Sequence, residues 1–264
     1  MSVIKIITIN ILSDLSLWEK RKSLLVDQLK LLSPDVVALQ EVRLPQNPAN
    51  WLAGELALEH LYLSPKIGRE AKRESIAILS RFPFKDTATL YLGGQSRVAQ
   101  RVIIDVESTL LRVVNGHFYW QPGESAARLR QIERLISWLD ASPSAPPTVV
   151  CGDFNSTPET RSIQRMKERY LSAYEQIHGM EPEYTCPTPL PHAPWPFFRT
   201  FLGFFLVLRP HQLRLNWRGT LDYIFVDPQL RVLDCRLVLD KPSPHNPNLY
   251  PSDHLGLYAE IEIC

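Results

Sequence analysis

One stretch decides the fold, Val149-Val150-Cys151-Gly152-Asp153-Phe154-Asn155. Residues that favour a buried strand run into a glycine, and an acid and an amide then stand two positions apart. Because side chains two apart on a strand point the same way, we expect Asp153 and Asn155 to reach one point at its carboxyl end. The next residues, Ser156-Thr157-Pro158, predict a helix cap and a first-turn proline. The same residue types also fit a plain turn, so the rest of the chain must decide whether this is a site.

The composition is that of an ordinary globular chain. Its 264 residues are 45% apolar and 22% charged, enough for one large domain or two small ones with a substantial core. A net charge of +1 argues against a strongly basic nucleic-acid surface but leaves a local patch open. The four cysteines include no Cys-x-x-Cys pair, which predicts reduced thiols in a cytoplasmic protein rather than a disulfide frame or a zinc site. There is no signal-peptide pattern and no apolar run of about 18 residues, so we expect no spanning helix.

Strand and helix patterns alternate along the chain. Apolar, β-branched runs predict strands, besides the opening stretch, over 3–9, 35–40, 75–79, 88–92, 98–106, 110–117, 220–226, 232–239 and 255–263. The spacing of apolar residues predicts helices over 17–32, 51–58 and 124–139, with further helical segments up to about residue 178. Because short turns join many neighbouring strands, the pattern favours a mixed-sheet α/β sandwich over a purely parallel sheet.

One region interrupts this alternation. Six prolines fall between Pro182 and Pro196, and residues 197–208 are almost wholly apolar or aromatic. A buried hairpin or helix packed on the sandwich is one interpretation. The other is a mobile apolar flap, exposed over about 195–208, that touches a membrane surface or stacks a substrate base. In that case nearby arginines would meet phosphate charge, namely Arg199, Arg209, Arg214 and Arg218.

Polar or charged residues stand at the ends of several apolar strands. They are Asn10, Gln40, Glu41, Glu74, His117, Asp153, Asn155, Asp222, Asp253 and His254. Strand ends converge on one rim of a sheet sandwich, so these side chains are candidates for a shared cleft. Carboxylates such as Glu41 and Asp253 suit a hard cation, Mg²⁺ or Mn²⁺. His254 beside an orienting Asp222 is suited to proton transfer, although each residue taken alone fits a cap, a solvated charge or a structural histidine.

Six short motifs occur in a recognisable order. They are Thr8-Ile9-Asn10, Leu39-Gln40-Glu41, Asn115-Gly116-His117, Gly152-Asp153-Phe154-Asn155, Leu221-Asp222-Tyr223-Ile224 and Ser252-Asp253-His254. This order resembles the endonuclease/exonuclease/phosphatase superfamily over residues 3 to 262. The resemblance implies a single domain over 1–264, with the insertion at about 182–217. It also implies a DNase I-like four-layer α/β sandwich, two packed mixed β-sheets flanked by helices, and metal-dependent hydrolysis of a phosphoester.

The resemblance also assigns expected roles around a metal. Glu41 resembles the principal ligand of Mg²⁺ or Mn²⁺, with Asn10 and Asp253 near the ion. Asp153 resembles the group that positions or deprotonates the attacking water, and Asn155 resembles the amide that contacts the scissile phosphate. The chemistry is consistent, because a metal neutralises phosphate charge while an oriented water attacks in line.

Two histidines complete the implied catalytic set. His254, paired with Asp222, resembles the histidine that stabilises the transition state or moves its proton. His117 resembles a second histidine that is supported by a preceding glutamate, and Glu74 stands in the right place for that role.

Family membership would fix the chemistry better than the substrate. The near-zero charge and the aromatic insertion favour a phosphodiesterase or phosphatase on a lipid or small phosphoester. The alternative is a nuclease on DNA or RNA, either an endonuclease or a 3′-exonuclease of deadenylase type, since Arg43 follows Glu41 closely. Candidate substrate contacts are Arg43, Asn155 and Arg218. A catalytically silent binding module is the third hypothesis, and no obligate protein partner is predicted.

Overall fold

The computed structural model describes residues 2–121, 123–142, 145–186 and 218–263. The strands are β1 (Ser2–Asn10), β2 (Val36–Arg43), β3 (His60–Pro65), β4 (Glu74–Ser80), β5 (Phe84–Tyr91), β6 (Val98–Val106), β7 (Thr109–His117), β8 (Thr148–Asp153), β9 (Leu171–Ser172), β10 (Asp222–Val226), β11 (Arg231–Val238) and β12 (Gly256–Ile263). The helices are α1 (Trp18–Leu32), α2 (Pro48–Leu56), α3 (Ala126–Asp140), α4 (Arg161–Lys167) and α5 (Ala173–His178), with a 3₁₀ helix at Gly68–Lys72. Both interpretations of the apolar stretch at 195–208 concern residues outside these ranges.

The strands form two six-stranded sheets. The first has the order β11-β12-β1-β2-β4-β3, and the second has the order β5-β6-β7-β8-β10-β9. β1 is parallel to β2 and β7 is parallel to β8, whereas the remaining pairs are antiparallel. Both sheets are therefore mixed, as the short turns between predicted strands indicated.

Three apolar clusters define the layers. One lies between the sheets and joins residues such as Ala38 of the first to Val113 of the second. Another packs α1 and α2 on the outer face of the first sheet, with Leu29 and Leu52 among its members. A third packs α3 and α4 on the outer face of the second sheet, for example through Leu135. The result is the predicted four-layer sandwich of two mixed sheets flanked by helices.

The strand that opened the sequence analysis is buried on both faces. Val149 and Cys151 of β8 face the layer between the sheets, and Val150 faces the helices. At Gly152 the φ angle is +134°, and a Cβ atom would lie 2.0 Å from the Gly116 carbonyl oxygen of β7. Only glycine permits this approach. The contact aligns the ends of β7 and β8, where the site residues begin.

Several local predictions were wrong. The helix cap predicted at Ser156-Thr157-Pro158 is absent, because the chain turns there and α4 begins only at Arg161. α2 begins earlier than predicted, because Asn47 accepts a hydrogen bond from the Asn50 amide and a proline fills the first turn. The half-buried edge strand β3 was not predicted, and β5 begins at Phe84 rather than near residue 88. No helix in the described ranges is long and apolar enough to cross a membrane.

Candidate active site

The predicted rim exists, because the relevant strands end or begin at the same edge of the sandwich. Asn10, at the end of β1, is paired in the first sheet with Gln40, which lies at the register shift of the parallel strand β2. In the second sheet Asp153 lies between His117 of parallel β7 and Asp222 of antiparallel β10. Each sheet thus brings polar side chains to one edge, and hydrogen bonds join the two groups.

Asn10 is the bridge between the sheets. Its buried Nδ2 donates to Glu41 Oε1 at 3.2 Å and to Asp153 Oδ2 at 3.1 Å. Its Oδ1 accepts the Leu12 amide at 3.0 Å. Ser252 Oγ also donates to the Asn10 carbonyl oxygen at 2.6 Å, which brings the 252–254 segment to the same place. One amide therefore holds two carboxylates that would otherwise repel each other.

Glu41 is directed into the site by an interruption of the strand. Its φ is +59°, and the β2–β4 register shifts between Leu39 and Val42. A bulge of this kind re-aims a side chain. Burial acts to raise the Glu41 pKa, but the Ser13 amide, 2.8 Å from Oε2, the Asn10 amide and nearby cations bring it below its ordinary value. Glu41 therefore stays ionised at neutral pH.

His254 is held by a carboxylate. Its Nδ1 lies 2.8 Å from Asp222 Oδ2, and both side chains are buried. Burial alone would lower the His254 pKa, but the charge and hydrogen bond of Asp222, together with Cys186, raise it well above the ordinary value. His254 is therefore protonated at neutral pH.

His117 is instead held by a cation. Arg97 Nη1 lies 2.7 Å from both ring nitrogens, and His117 Nε2 lies 3.4 Å from Asp153 Oδ2. Burial and then the Arg97 charge lower the His117 pKa well below its ordinary value. Because arginine only donates, the ring must be neutral to accept from it.

The expected support of His117 by Glu74 is indirect. Glu74 Oε1 is 3.7 Å from His117 Nδ1, 3.7 Å from Arg97 Nη1 and 2.5 Å from Lys66 Nζ. Burial raises the Glu74 pKa, with Glu41 adding to the effect, and lowers the Lys66 pKa. Burial therefore disfavours the charge on both partners, although they lie at ion-pair distance. Glu74 therefore offsets the positive charges of Arg97 and Lys66 and does not hydrogen-bond to the imidazole of His117.

Asp153 and Asn155 do meet, but not through strand alternation. Asn155 has a φ of +51°, so the strand has already ended, and its backbone amide donates to Asp153 Oδ1 at 2.8 Å. Its Nδ2 donates to the Phe118 carbonyl oxygen at 3.2 Å. Burial raises the Asp153 pKa to about 7, opposed by His254 and assisted by Asp222. A local turn therefore places Asn155 beside Asp153. The expected reason for their proximity, the alternation of side chains along a strand, was wrong.

Oxygen donors for a cation are present. Asp153, Asp222 and His254 place ligand atoms within 4.8 Å of one another, but a protonated His254 has no free lone pair. The ionised Glu41 is a better ligand for a hard cation. The charges of Glu41 and Asp253 both act on the buried Arg21, so the two carboxylates share one neighbourhood. The donor set around Glu41 thus fits Mg²⁺ or Mn²⁺.

The predicted substrate contacts lie farther out. Arg43 is half-buried at the end of β2, opposite Glu74. Arg218 is exposed, and its guanidinium lies 4.7 Å from the centre of the Tyr184 ring. The structure therefore associates Arg43 with the Glu74 side of the site and packs Arg218 on a neighbouring aromatic ring.

The sequence analysis gave no role to four buried or half-buried residues. Arg97 and Lys66 look like ordinary charges beside strands, and Thr185 lies in a loop before the proline-rich region. Arg21 donates to the carbonyl oxygens of Ile11, Leu12, Asp14 and Pro251. It thereby joins the loop after Asn10 to the loop before Asp253. The only signal for Arg97 was a charge directly before an apolar strand, the same signal that selected Glu74.

Curated proteins with similar sequences are longer than this chain, which covers only part of each. The mouse protein "2′,5′-phosphodiesterase 12" is 29% identical over 57% of the chain, which covers 26% of that protein. The "Carbon catabolite repressor protein 4 homolog 4" of Arabidopsis thaliana is 28% identical over 57% of the chain and 37% of its own length. Nocturnin of Xenopus laevis is 25% identical over 93% of the chain and 65% of its own length. The chain spans about a quarter to a third of the 2′,5′-phosphodiesterase relatives.

Solved structures share the fold over nearly the whole chain. The human Nocturnin catalytic domain with bound sulfate superposes with a TM-score of 0.73 at 22% identity, covering 99% of this chain and 95% of that one. TDP2 of D. rerio, complexed with a single-strand DNA product, gives a TM-score of 0.78 at 18% identity with full coverage of both chains. The family model described as "Endonuclease/Exonuclease/phosphatase family" matches residues 7–254. With the two mixed sheets and the polar rim between them, this match shows that the chain belongs to the endonuclease/exonuclease/phosphatase family.

Proposed function

We propose that this protein is a phosphodiesterase that depends on Mg²⁺ or Mn²⁺. The observation that carries the proposal is the meeting of Glu41, Asp153 and His254 at one rim, where Asn10 donates to both carboxylates and Asp222 holds the imidazole. They would serve as a cation ligand, a proton acceptor and a proton donor, three kinds of group that accelerate the metal-assisted hydrolysis of a phosphodiester. The chain belongs to a family of phosphoester hydrolases, and this membership supports the same conclusion.

Glu41, with Asn10 and Asp253, would hold the cation, which neutralises charge on the phosphate when it is bound. Asp153 orients the attacking water and takes its proton, since its pKa of about 7 suits a general base. The Asn155 side chain contacts the phosphate beside it.

His254, held in orientation by Asp222, gives its proton to the leaving oxygen as the P–O bond breaks. His117 is neutral and accepts a hydrogen bond from Arg97. It would therefore help to orient the phosphate from the opposite side without adding charge.

We favour a nucleotide phosphodiester as substrate. The similar proteins include 2′,5′-phosphodiesterases, and one structural neighbour is complexed with a single-strand DNA product. The half-buried Lys66, the buried Arg97 and the nearby Arg43 supply positive charge on the Glu74 side of the rim. The lipid alternative depends on residues 195–208, which lie outside the described residues, and it stays a prediction.

The test is hydrolysis by purified protein of four substrates: 2′,5′-linked oligoadenylate, 3′,5′-linked oligoadenylate, sphingomyelin liposomes and p-nitrophenyl phosphate. Samples would contain Mg²⁺, Mn²⁺ or EDTA. We expect cleavage of an oligoadenylate that EDTA and His254→Ala both abolish. The matched control is His245→Ala, because His245 is an exposed histidine outside the site. Cleavage of sphingomyelin alone would replace the nucleotide proposal by the lipid one, and no cleavage of any substrate would overturn the enzymatic proposal.

A further inference from the structure

Thr185 lies beneath the Asp222–His254 pair, and its hydroxyl uses its full hydrogen-bonding capacity there. Oγ1 accepts the Leu221 amide at 2.9 Å and the Asp222 amide at 3.1 Å. It donates to Asp222 Oδ2 at 2.5 Å. A hydroxyl has one proton and two lone pairs, so the two amides leave the proton only one direction, towards Asp222. Because Thr185 is fully buried, water does not compete for these bonds.

The backbone of Thr185 connects the chain segments that carry Asp222 and His254. Its amide donates to the Gly219 carbonyl oxygen at 3.1 Å, just before β10 begins with Asp222. Its carbonyl oxygen accepts the Leu255 amide at 2.8 Å, immediately after His254. One residue therefore sets the spacing between the carboxylate and the imidazole that it orients.

The Asp222 carboxylate depends on this residue for its orientation. Oδ2 receives both the Thr185 hydroxyl and His254 Nδ1, at 2.5 Å and 2.8 Å. Oδ1 is buried and has no hydrogen-bond partner among the described residues. A carboxylate with one oxygen unpartnered can rotate about its Cβ–Cγ bond unless something fixes the other oxygen. Among the residues that the structure describes, the Thr185 hydroxyl is the only group besides His254 that fixes Asp222 Oδ2.

We infer that Thr185 is a positioning residue for proton donation by His254. The inference rests on the proposed function, in which water adds to phosphorus, its proton passes to Asp153, and the P–O bond to the leaving group breaks. The leaving oxygen takes a proton from His254 Nε2, whose direction is set through Nδ1 by Asp222. Thr185 acts through Asp222 and touches neither the phosphate nor the cation.

This role predicts a dependence on the leaving group. An adenosine alkoxide needs a proton as it departs, whereas p-nitrophenolate departs without one. Loss of the Thr185 hydroxyl should therefore slow cleavage of an adenosine dinucleotide and leave bis(p-nitrophenyl) phosphate almost unaffected. A residue that merely supported the fold would slow both reactions together.

The experiment compares Thr185→Val, which keeps the side-chain shape, with Thr185→Ser, which keeps the hydroxyl. On the 2′,5′- and 3′,5′-linked adenosine dinucleotides we expect Thr185→Val to lower kcat about 10–100-fold, as loss of an orienting partner commonly does, with KM within about twofold. Thr185→Ser should return kcat to within about threefold of wild type. On bis(p-nitrophenyl) phosphate the kcat of neither variant should fall by more than about threefold.

The matched control is Thr148→Val, because Thr148 is equally buried but lies at the opposite end of β8. It should leave the ratio of the two substrate rates unchanged. Equal losses on both substrates, equal losses in the valine and serine variants, or a loss in KM alone would each overturn the inference.

A second readout does not depend on activity. In protein labelled with ¹⁵N-histidine, the proton on His254 Nδ1 should give a low-field resonance in the wild type and in Thr185→Ser. In Thr185→Val this resonance should shift or broaden, and an unchanged resonance would count against Thr185. If the wild type cleaves neither probe while the resonance behaves as expected, the proposed function fails together with proton donation, and only the orientation of the His254 ring by Thr185 through Asp222 stands.

Discussion

His117 and His254 are both buried in one site, and their partners carry opposite charge. His117 lies 2.7 Å from the Arg97 guanidinium, whereas His254 Nδ1 lies 2.8 Å from the Asp222 carboxylate. Burial lowers the pKa of each ring, and the partner then decides the outcome. Arg97 pushes the pKa of His117 lower still, and Asp222 reverses the effect of burial on His254.

In the proposed mechanism, this difference would let one residue type fill two roles at one phosphate. A neutral imidazole accepts from Arg97 and orients, while a protonated imidazole carries a transferable proton. The surrounding residues extend the contrast, since Glu74 and Lys66 flank the His117 side and Thr185 fixes the His254 side. Changing one partner at a time tests whether the two sides act independently.

The largest expected effect comes from Asp222→Asn. The amide cannot balance a protonated imidazole, so the His254 pKa falls and the ring loses its preferred orientation. We expect kcat on an adenosine dinucleotide to fall about 10²–10⁴-fold. Asp227→Asn, just beyond the other end of β10, is the control and should retain activity. Retention of more than a tenth of the wild-type kcat by Asp222→Asn would contradict the role given to the pair.

A smaller effect is expected from Arg97→Met on the other side. The methionine keeps much of the side-chain volume but removes the donor to His117 and one partner of Glu74. We expect kcat to fall about 10–100-fold, because the imidazole loses its fixed direction. NMR titration should show the His117 pKa rising towards its ordinary value. Arg101→Met, on neighbouring β6 and paired with Asp86, should change neither quantity.

The two histidines should also give opposite dependences of folding stability on pH. The folded pKa of His117 is depressed, so its contribution is complete above about pH 6.5 and is lost as the pH falls towards the folded pKa. The folded pKa of His254 is raised, so its contribution is complete below about pH 6.5 and is lost as the pH rises through the folded pKa. Each slope approaches about 1.4 kcal/mol per pH unit within its window.

Urea denaturation in EDTA measures these slopes. Compared with wild type, His117→Asn should lose less stability between pH 6.5 and 5, and His254→Asn should lose less between pH 7 and 9. If both variants flattened the same limb of the curve, the assigned charge states would be wrong.

The smallest effect is expected from Arg218→Ala. The guanidinium is exposed and stacks on Tyr184 at 4.7 Å, beside Gly219, whose backbone pairs with Cys186 near His254. An exposed cation–π contact contributes about 0.5–1 kcal/mol, so kcat/KM should change by no more than about fivefold. A larger rise in KM would support the sequence-based expectation that Arg218 contacts substrate.

The fold and most of the rim could be predicted from sequence, because both depend on local patterns. β-Branched runs marked the buried strands, and polar residues such as Asp153 and Asp222 stood directly at their ends. The six ordered motifs carried the family assignment, which the family match confirms. Their expected functional roles stay predictions.

Apart from Asp222, which the sequence analysis paired with His254, the partners of these residues could not be predicted in the same way. Arg97 meets His117 from 20 positions away, and Thr185 meets Asp222 from 37 positions away across an irregular segment. The bulge at Glu41 is likewise set by how the chain packs, because glutamate does not favour a positive φ. The left-handed conformation at Asn155 is one that asparagine favours, so its residue type does give a signal there. Long-range contacts, which decide the charge of each histidine, leave no periodic trace in a single sequence.

The close approach of Gly152 to Gly116 has a consequence for mutational screens. A side chain at position 152 would place its first carbon 2.0 Å from a backbone oxygen, so substitutions there should yield insoluble protein. A screen that scores colonies only for lost turnover would rank Gly152 beside its neighbour Asp153 as a catalytic position. Counting soluble protein per clone separates the two, because Asp153→Asn should accumulate normally while Gly152→Ala should not.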